Sequence, residues 1–189
     1  MGVLFVIIIL YFIKGLFVVA VVNNYPILRI SIIKELEKQG GSQVMETIIN
    51  ERLIVQEAAM KNIKVTKDDI DKEVLQIEKN LKLQGTDLET ALSMQGQTKD
   101  DLIKAISLKL LIEKTLKDRI VINDEEIKTY FDSNKATLYK GKTLEEIKSE
   151  ISTTLGQQKL SAEYQKWIVE IKANAKILKF VDFGAETSK

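Results

Sequence analysis

Five times in this chain a Thr or Asn stands three residues ahead of an Asp or Glu, just before an apolar-periodic stretch: Thr66 and Asp69, Thr86 and Glu89, Thr98 and Asp101, Asn123 and Glu126, Thr143 and Glu146. Each pair has the form of a capping box, in which two backbone N–H groups left open at a helix start are satisfied reciprocally. Between the boxes the apolar residues recur at helical spacing. Ile70, Val74, Ile77 and Leu81 follow the first box, Leu102, Ile106, Leu110 and Ile112 the third, and Leu144, Ile147, Ile151 and Leu155 the last. The chain is therefore expected to be all-α. Its last helix continues through Leu160, Tyr164, Trp167, Ile168 and Ile171, and some 30 residues at about 1.5 Å each give a rod of roughly 45 Å.

Upstream, a turn-like break at Asn23, Asn24, Tyr25 and Pro26, which holds the only proline, leads into a helix expected from Arg29 to Gln39 and stopped by Gly40 and Gly41. Ser42 then caps a second helix reaching Asn62, with Val44, Met45, Ile48, Ile49, Leu53, Val55, Ala58 and Ala59 as its apolar surface. Residues 18–22 and 177–183 are rich in β-branched or aromatic side chains and suit a small ribbon joining the two ends of the domain.

Residues 3–22 read VLFVIIILYFIKGLFVVAVV, about the length that crosses a ~30 Å hydrocarbon core as a helix. Lys14 interrupts the run at a cost of about 2.5 to 3.5 kcal/mol on insertion scales. No Lys or Arg precedes the run and no A-x-A-like site closes it, so an uncleaved single-pass anchor is preferred over a cleaved signal. The nearest basic residues outside the run, Arg29 and Lys34, follow it, and counted alone they favour a cytoplasmic domain. The expected division is an anchor at 1–22, a helical domain at 23–183 and a tail at 184–189.

Composition removes several function classes. The net charge of +1 supplies no basic field for nucleic acid. The absence of His and Cys removes imidazole bases, thiolate nucleophiles and the usual zinc ligands, and no cofactor is expected. Asp68, Asp69, Asp71 and Glu73 cluster at a helix start, where the helix dipole and capping already account for acidic residues.

The order of elements resembles the N-terminal chaperone domain of SurA and PrsA type foldases over residues 20–180. The stretch AVVNNYPILRISIIKELEKQGG is similar to that family's opening, with Asn24 where the family has glycine. QVMETIINERLIVQEAAMKNIKVTKDDIDKEV is similar to its core helix and exit. ALSMQGQTKDDLIKAISLKLLIEKTL and VINDEEIKTYFDSNK resemble the helix pair and the helix that precede the parvulin insert, and LEEIKSEISTTLGQQKLSAEYQKWIVEIKANAKILKF resembles the returning helix and strand. Only residues 136–142 stand where the insert belongs, too few for a parvulin domain, and no catalytic residue maps onto the chain.

The resemblance implies an elongated multi-helix chaperone domain outside the cytoplasm, held at the cell membrane, binding unfolded or newly translocated polypeptides without prolyl-isomerase activity. The alternatives are a membrane-anchored scaffold for one fixed partner or a second copy, and an isomerase. Candidate client contacts are Met45, Met94, Tyr130, Phe131, Tyr139, Tyr164 and Trp167. For each, ordinary helix packing is the more common role of such a side chain.

Overall fold

A computed structural model describes residues 16–183. The elements run β1 (Val18–Val22), β2 (Tyr25–Leu28), α1 (Arg29–Met60), α2 (Lys67–Leu83), α3 (Leu88–Met94), α4 (Lys99–Leu116) with a 3₁₀ turn at Lys117–Arg119, α5 (Asp124–Asn134) and α6 (Leu144–Asn174). The fold is mostly helical with one antiparallel ribbon. Its described residues form two compact units, one holding those up to Ile49 together with those from Ile177, the other Asn50–Lys176.

Four of the five expected boxes form, at Thr66, Thr98, Asn123 and Thr143. At the first, the Asp69 N–H donates to Thr66 Oγ1 at 3.2 Å and the Thr66 N–H donates back to Asp69 Oδ2 at 2.9 Å. The fifth is displaced by one residue: Asp87 caps α3 in place of Thr86, its Oδ1 accepting from the Thr90 N–H at 2.8 Å. Asp is the stronger cap because its carboxylate also meets the positive end of the helix.

Gly40 and Gly41 do not stop a helix, and Ser42 does not start one; α1 runs through all three. Neither glycine has positive φ, the conformation that a glycine helix stop requires. Gly41 makes room instead. A Cβ there would stand 2.8 Å from Cγ of Phe183, so the ring lies against bare backbone. In the same unit Lys179 Nζ donates to Glu46 Oε1 at 2.5 Å.

The ribbon also differs from the expected one. β1 pairs with β2, with Val22 opposite Tyr25 and Val21 opposite Pro26, and residues 177–183 carry no strand. Asn23 and Asn24 have φ of 47° and 70°, the conformation of a two-residue hairpin turn, and Asn tolerates it better than other residues bearing a Cβ. Closing two residues costs far less chain entropy than closing the ~150 that separate β1 from residue 177. Tyr25 and Pro26 thus belong to a strand. Of the expected anchor, residues 1–15 lie outside the described residues, as does the tail at 184–189. Residues 18–22 are extended, and no helix among the described residues is long and apolar enough to cross a membrane.

The larger unit has two buried clusters, and α6 contributes to both. Ile147 and Ile151 pack with Ile127, Phe131 and Tyr139, while Trp167, Ile168 and Ile171 pack with Ile54 and Leu116. The largest fully buried side chains are Trp167, Ile54, Leu116 and Ile151.

Ion pairs tie the loops to this frame. Lys114 Nζ donates to Asp69 Oδ2 at 2.6 Å and to the Lys64 carbonyl at 3.1 Å. Lys159 Nζ donates to Glu126 Oε1 and to the Val121 carbonyl, each at 2.5 Å. The Lys114 ammonium and the Thr66 N–H hold the Asp69 carboxyl far below the usual carboxylate range. The bond from Lys159 lowers the Glu126 carboxyl pKa, with the Asn123 N–H assisting. Asp87, Asp101 and Glu146 are lowered by their cap hydrogen bonds.

A carboxylate depressed in the folded state stabilises fully above its unfolded pKa, near 4, and that contribution disappears as pH falls through the folded value. With no His in the chain, Tm is expected to be level from about pH 5 to 8 and to fall below about pH 4. Asp69→Asn should lower the plateau and flatten the acid limb. Thermal unfolding followed by circular dichroism across pH 3 to 8 checks this; an unchanged acid limb in the variant contradicts it.

Candidate functional site

Helix α4 is apolar around most of its circumference. Ile106 and Leu116 are buried, and Leu102, Ile103, Leu108, Leu110, Leu111 and Ile112 are half-buried. A helix with so wide an apolar surface must either be enclosed by neighbours or leave part of that surface open. Here neighbours cover it incompletely, and a groove remains on each of two sides.

The first groove lies where α4 meets the C-terminal part of α1 and the start of α2. Val55, Ile70, Ile103, Leu108 and Leu111 line a volume of about 450 Å³. Its rim is polar: Asp100, Ser107, and Glu51 ion-paired with Lys104 at 2.7 Å. Val55 is 47% exposed, so the wall is apolar yet open. The second groove lies between α4 and α6, where Ile112, Leu160 and Tyr164 line about 390 Å³ with Lys109, Glu113, Gln157 and Ser161 around them. Lys109 Nζ meets Glu73 Oε2 at 2.5 Å and Glu113 Oε1 at 3.7 Å, and the bond to Glu73 raises the Lys109 pKa. Paired ions at a rim keep apolar surface soluble without presenting one sign of charge.

Two other clefts are more polar. One of about 910 Å³ opens beside α3, bounded by Glu78, Lys82, Asp87, Glu89 and Lys99 around Leu88 and Leu92. One of about 490 Å³ lies over α5, bounded by Asn123, Glu126, Tyr130, Asn134 and Leu155.

The seven expected contact residues divide among these settings. Tyr164 lines the second groove. Tyr130 is half-buried at the α5 cleft. Met94 is 83% exposed at the end of α3, and Met45 is half-buried on α1. Phe131 and Tyr139 are inside, their rings stacked at 6.2 Å between centroids, and burial pushes the Tyr139 hydroxyl pKa up. Trp167 is inside as well, meeting Tyr164 edge-on at 6.5 Å. The aromatics flanking residues 136–142 are thus brought together as a packing cluster.

Sequence reasoning passed over most of the first groove. Ile103, Leu108 and Leu111 lie off the stripe of Leu102, Ile106 and Leu110, and a helix bearing both sets has more apolar surface than one neighbour covers. That excess was the available signal.

No protein-family model matches the chain, and no solved structure matches it. Among curated proteins it is similar to the putative peptidyl-prolyl cis-trans isomerase YacD of Bacillus subtilis, 26% identical over 117 residues, covering 62% of this chain and 37% of that protein. It is also similar to the foldase protein PrsA of Geobacillus kaustophilus, 25% identical over 139 residues, 70% of this chain and 46% of that protein. The chaperone SurA of Methylobacillus flagellatus is 28% identical over 113 residues, 53% of this chain and 26% of that protein. The chain thus spans less than half the length of these relatives. The similarity supports a relationship to the PrsA and SurA foldases and a chaperone-like function at that level.

Proposed function

We propose that the chain is a membrane-tethered holdase: it binds extended apolar segments of unfolded polypeptide and carries no prolyl-isomerase activity of its own. The observation that carries this reading is the pair of apolar grooves flanking α4, each open to solvent and rimmed by ion-paired charges. A groove of a few hundred Å³ accepts one or two large apolar side chains of a client. Weak, repeated burial of that kind suits a binder that must also release. Tyr164 and Tyr130 are the expected aromatic contacts and Met94 an adaptable one, while Phe131, Tyr139 and Trp167 act by holding the helices that form the walls. The names of the relatives support the chaperone assignment, the apolar residues that precede β1 support the tether, and the resemblance to SurA and PrsA type foldases, against the charge count at Arg29 and Lys34, supports a helical domain on the extracytoplasmic side.

A fragment beginning at Asn23 would remove β1, so the full chain in lipid nanodiscs is the preparation to use. Added at rising ratios to several unrelated chemically unfolded clients, it should suppress light scattering while prolyl isomerisation of a test peptide proceeds at the uncatalysed rate. Suppression for only one client, or none, would move the reading to a fixed-partner scaffold. Catalysed isomerisation would overturn the non-enzymatic part.

A further inference from the structure

From Gly15 to Leu28 the chain carries no charged side chain, and the ribbon built from that stretch is exposed on both faces. Val22, Tyr25 and Ile27 project from one face, Val21 and Leu28 from the other; Tyr25 is 78% exposed and Val21 62%. Helix α1 adds exposed Ile30, Ile32, Ile33 and Leu36 directly after it. So dense a run of exposed large apolar residues marks a surface that something covers. An isolated two-stranded ribbon is also marginal in water without such cover.

We infer that the β1–β2 ribbon and the first turns of α1 are immersed in the interfacial layer of a lipid bilayer, an inference that rests on the membrane-tether reading and goes beyond it. Two observations select lipid. Large apolar side chains are exposed on both faces of the ribbon; a flat contact with one protein surface covers a single face, whereas immersion at the headgroup and acyl boundary surrounds both. The first strand of the ribbon is itself the end of the apolar run at 3–22, so a chain tethered by the apolar residues before Val18 brings the ribbon to the surface with no linker between them. Neither outer edge of the ribbon pairs with a further strand among the described residues, and open strand edges are tolerated at interfacial depth but not in the hydrocarbon core. The turn supplies Asn23 and Asn24, and the first charges after the ribbon, Arg29 and Lys34, are cations suited to anionic headgroups. A small pocket between Leu16, Phe17, Leu28, Ile30 and Ile33 joins the ribbon base to the helix start, so the two are placed at the interface together.

The absence of cysteine makes each introduced thiol unique. Full-length Val22→Cys, Tyr25→Cys and, as a control in the other unit, Met94→Cys are labelled with an environment-sensitive fluorophore and reconstituted in phosphatidylcholine–phosphatidylglycerol vesicles. Labels at 22 and 25 should emit to the blue of the label at 94, lose intensity to nitroxide lipids labelled near the headgroup, and resist aqueous iodide. Equal iodide quenching at all three sites, in chain that stays with the vesicles through an alkaline carbonate wash, overturns this inference and leaves the tether standing. Chain that does not float with vesicles at all overturns both. Iodide protection at 22 and 25 without lipid quenching, with disulfide-linked dimers of the unlabelled variants, assigns the surface to a second copy and overturns the lipid assignment.

Discussion

Trp167→Ala is expected to lower the melting temperature of the helical unit by roughly 10 to 20 °C, following a loss of about 3 to 5 kcal/mol. The indole is 1% exposed and packs with Ile54, Leu116, Ile168 and Ile171, so its removal opens a cavity among side chains from three helices. With total stabilities of about 5 to 15 kcal/mol, that loss takes roughly a fifth or more of what a domain has. Trp167→Phe keeps most of the apolar volume and should cost well under half as much. The same pair of variants decides between the two roles that the sequence allows for this residue. A client contact at the surface would lose binding with little change in Tm; a packing residue loses Tm first. A shift of only a few degrees for Trp167→Ala, measured by circular dichroism, would contradict the buried role.

What could be read from the sequence was whatever is decided within four residues. The boxes at Thr66, Thr98, Asn123 and Thr143 fix helix starts through hydrogen bonds between each cap residue and the residue three positions on, and no distant part of the chain is needed to form them. The length of α6 follows from a periodic stripe that nothing interrupts. Gly40 and Gly41 looked like a stop because glycine suits a helix end. Whether a glycine ends a helix or admits a neighbour depends on Phe183, more than 140 positions away. The ribbon failed for the related reason that β-branched residues announce a strand without naming its partner, and the partner was set by the conformations of Asn23 and Asn24.

The site was less legible than the fold. Aromatic side chains bury the most area, and for that reason Phe131, Tyr139 and Trp167 lie inside rather than at the surface. The open apolar surface is built largely from aliphatic side chains on α4, such as Ile103 and Leu111, that look the same in sequence as Ile106 and Leu116 at the core. Only the arrangement of α1, α2 and α6 around α4 separates the enclosed set from the open set. A holdase surface is by nature hard to read from sequence, since it is made of core-like residues that the packing leaves uncovered.

That distinction gives the functional reading its most demanding consequence. Val55→Lys and Ile103→Lys together place two ammonium groups in the first groove, one from α1 and one from α4, beside residues that line it. Val55 is exposed and Ile103 half-buried, so the double variant should keep its helical content and lose only a few degrees in Tm. A client side chain of Leu or Phe size that is no longer buried there forgoes about 1.5 to 3 kcal/mol, which is roughly ten- to hundred-fold in apparent Kd. Anisotropy titration with a labelled unfolded client reads that change directly. Leu83→Lys, at an exposed site that lines neither groove, should leave the affinity within about twofold. Tyr164→Ala weakens the second groove separately. If one extended client segment reaches both grooves, losing either should reduce affinity by more than its own share, because the second contact is made at the high effective concentration set by the first. An unchanged Kd in the Val55→Lys, Ile103→Lys variant would remove the grooves from the mechanism, and with them the observation on which the holdase reading stands.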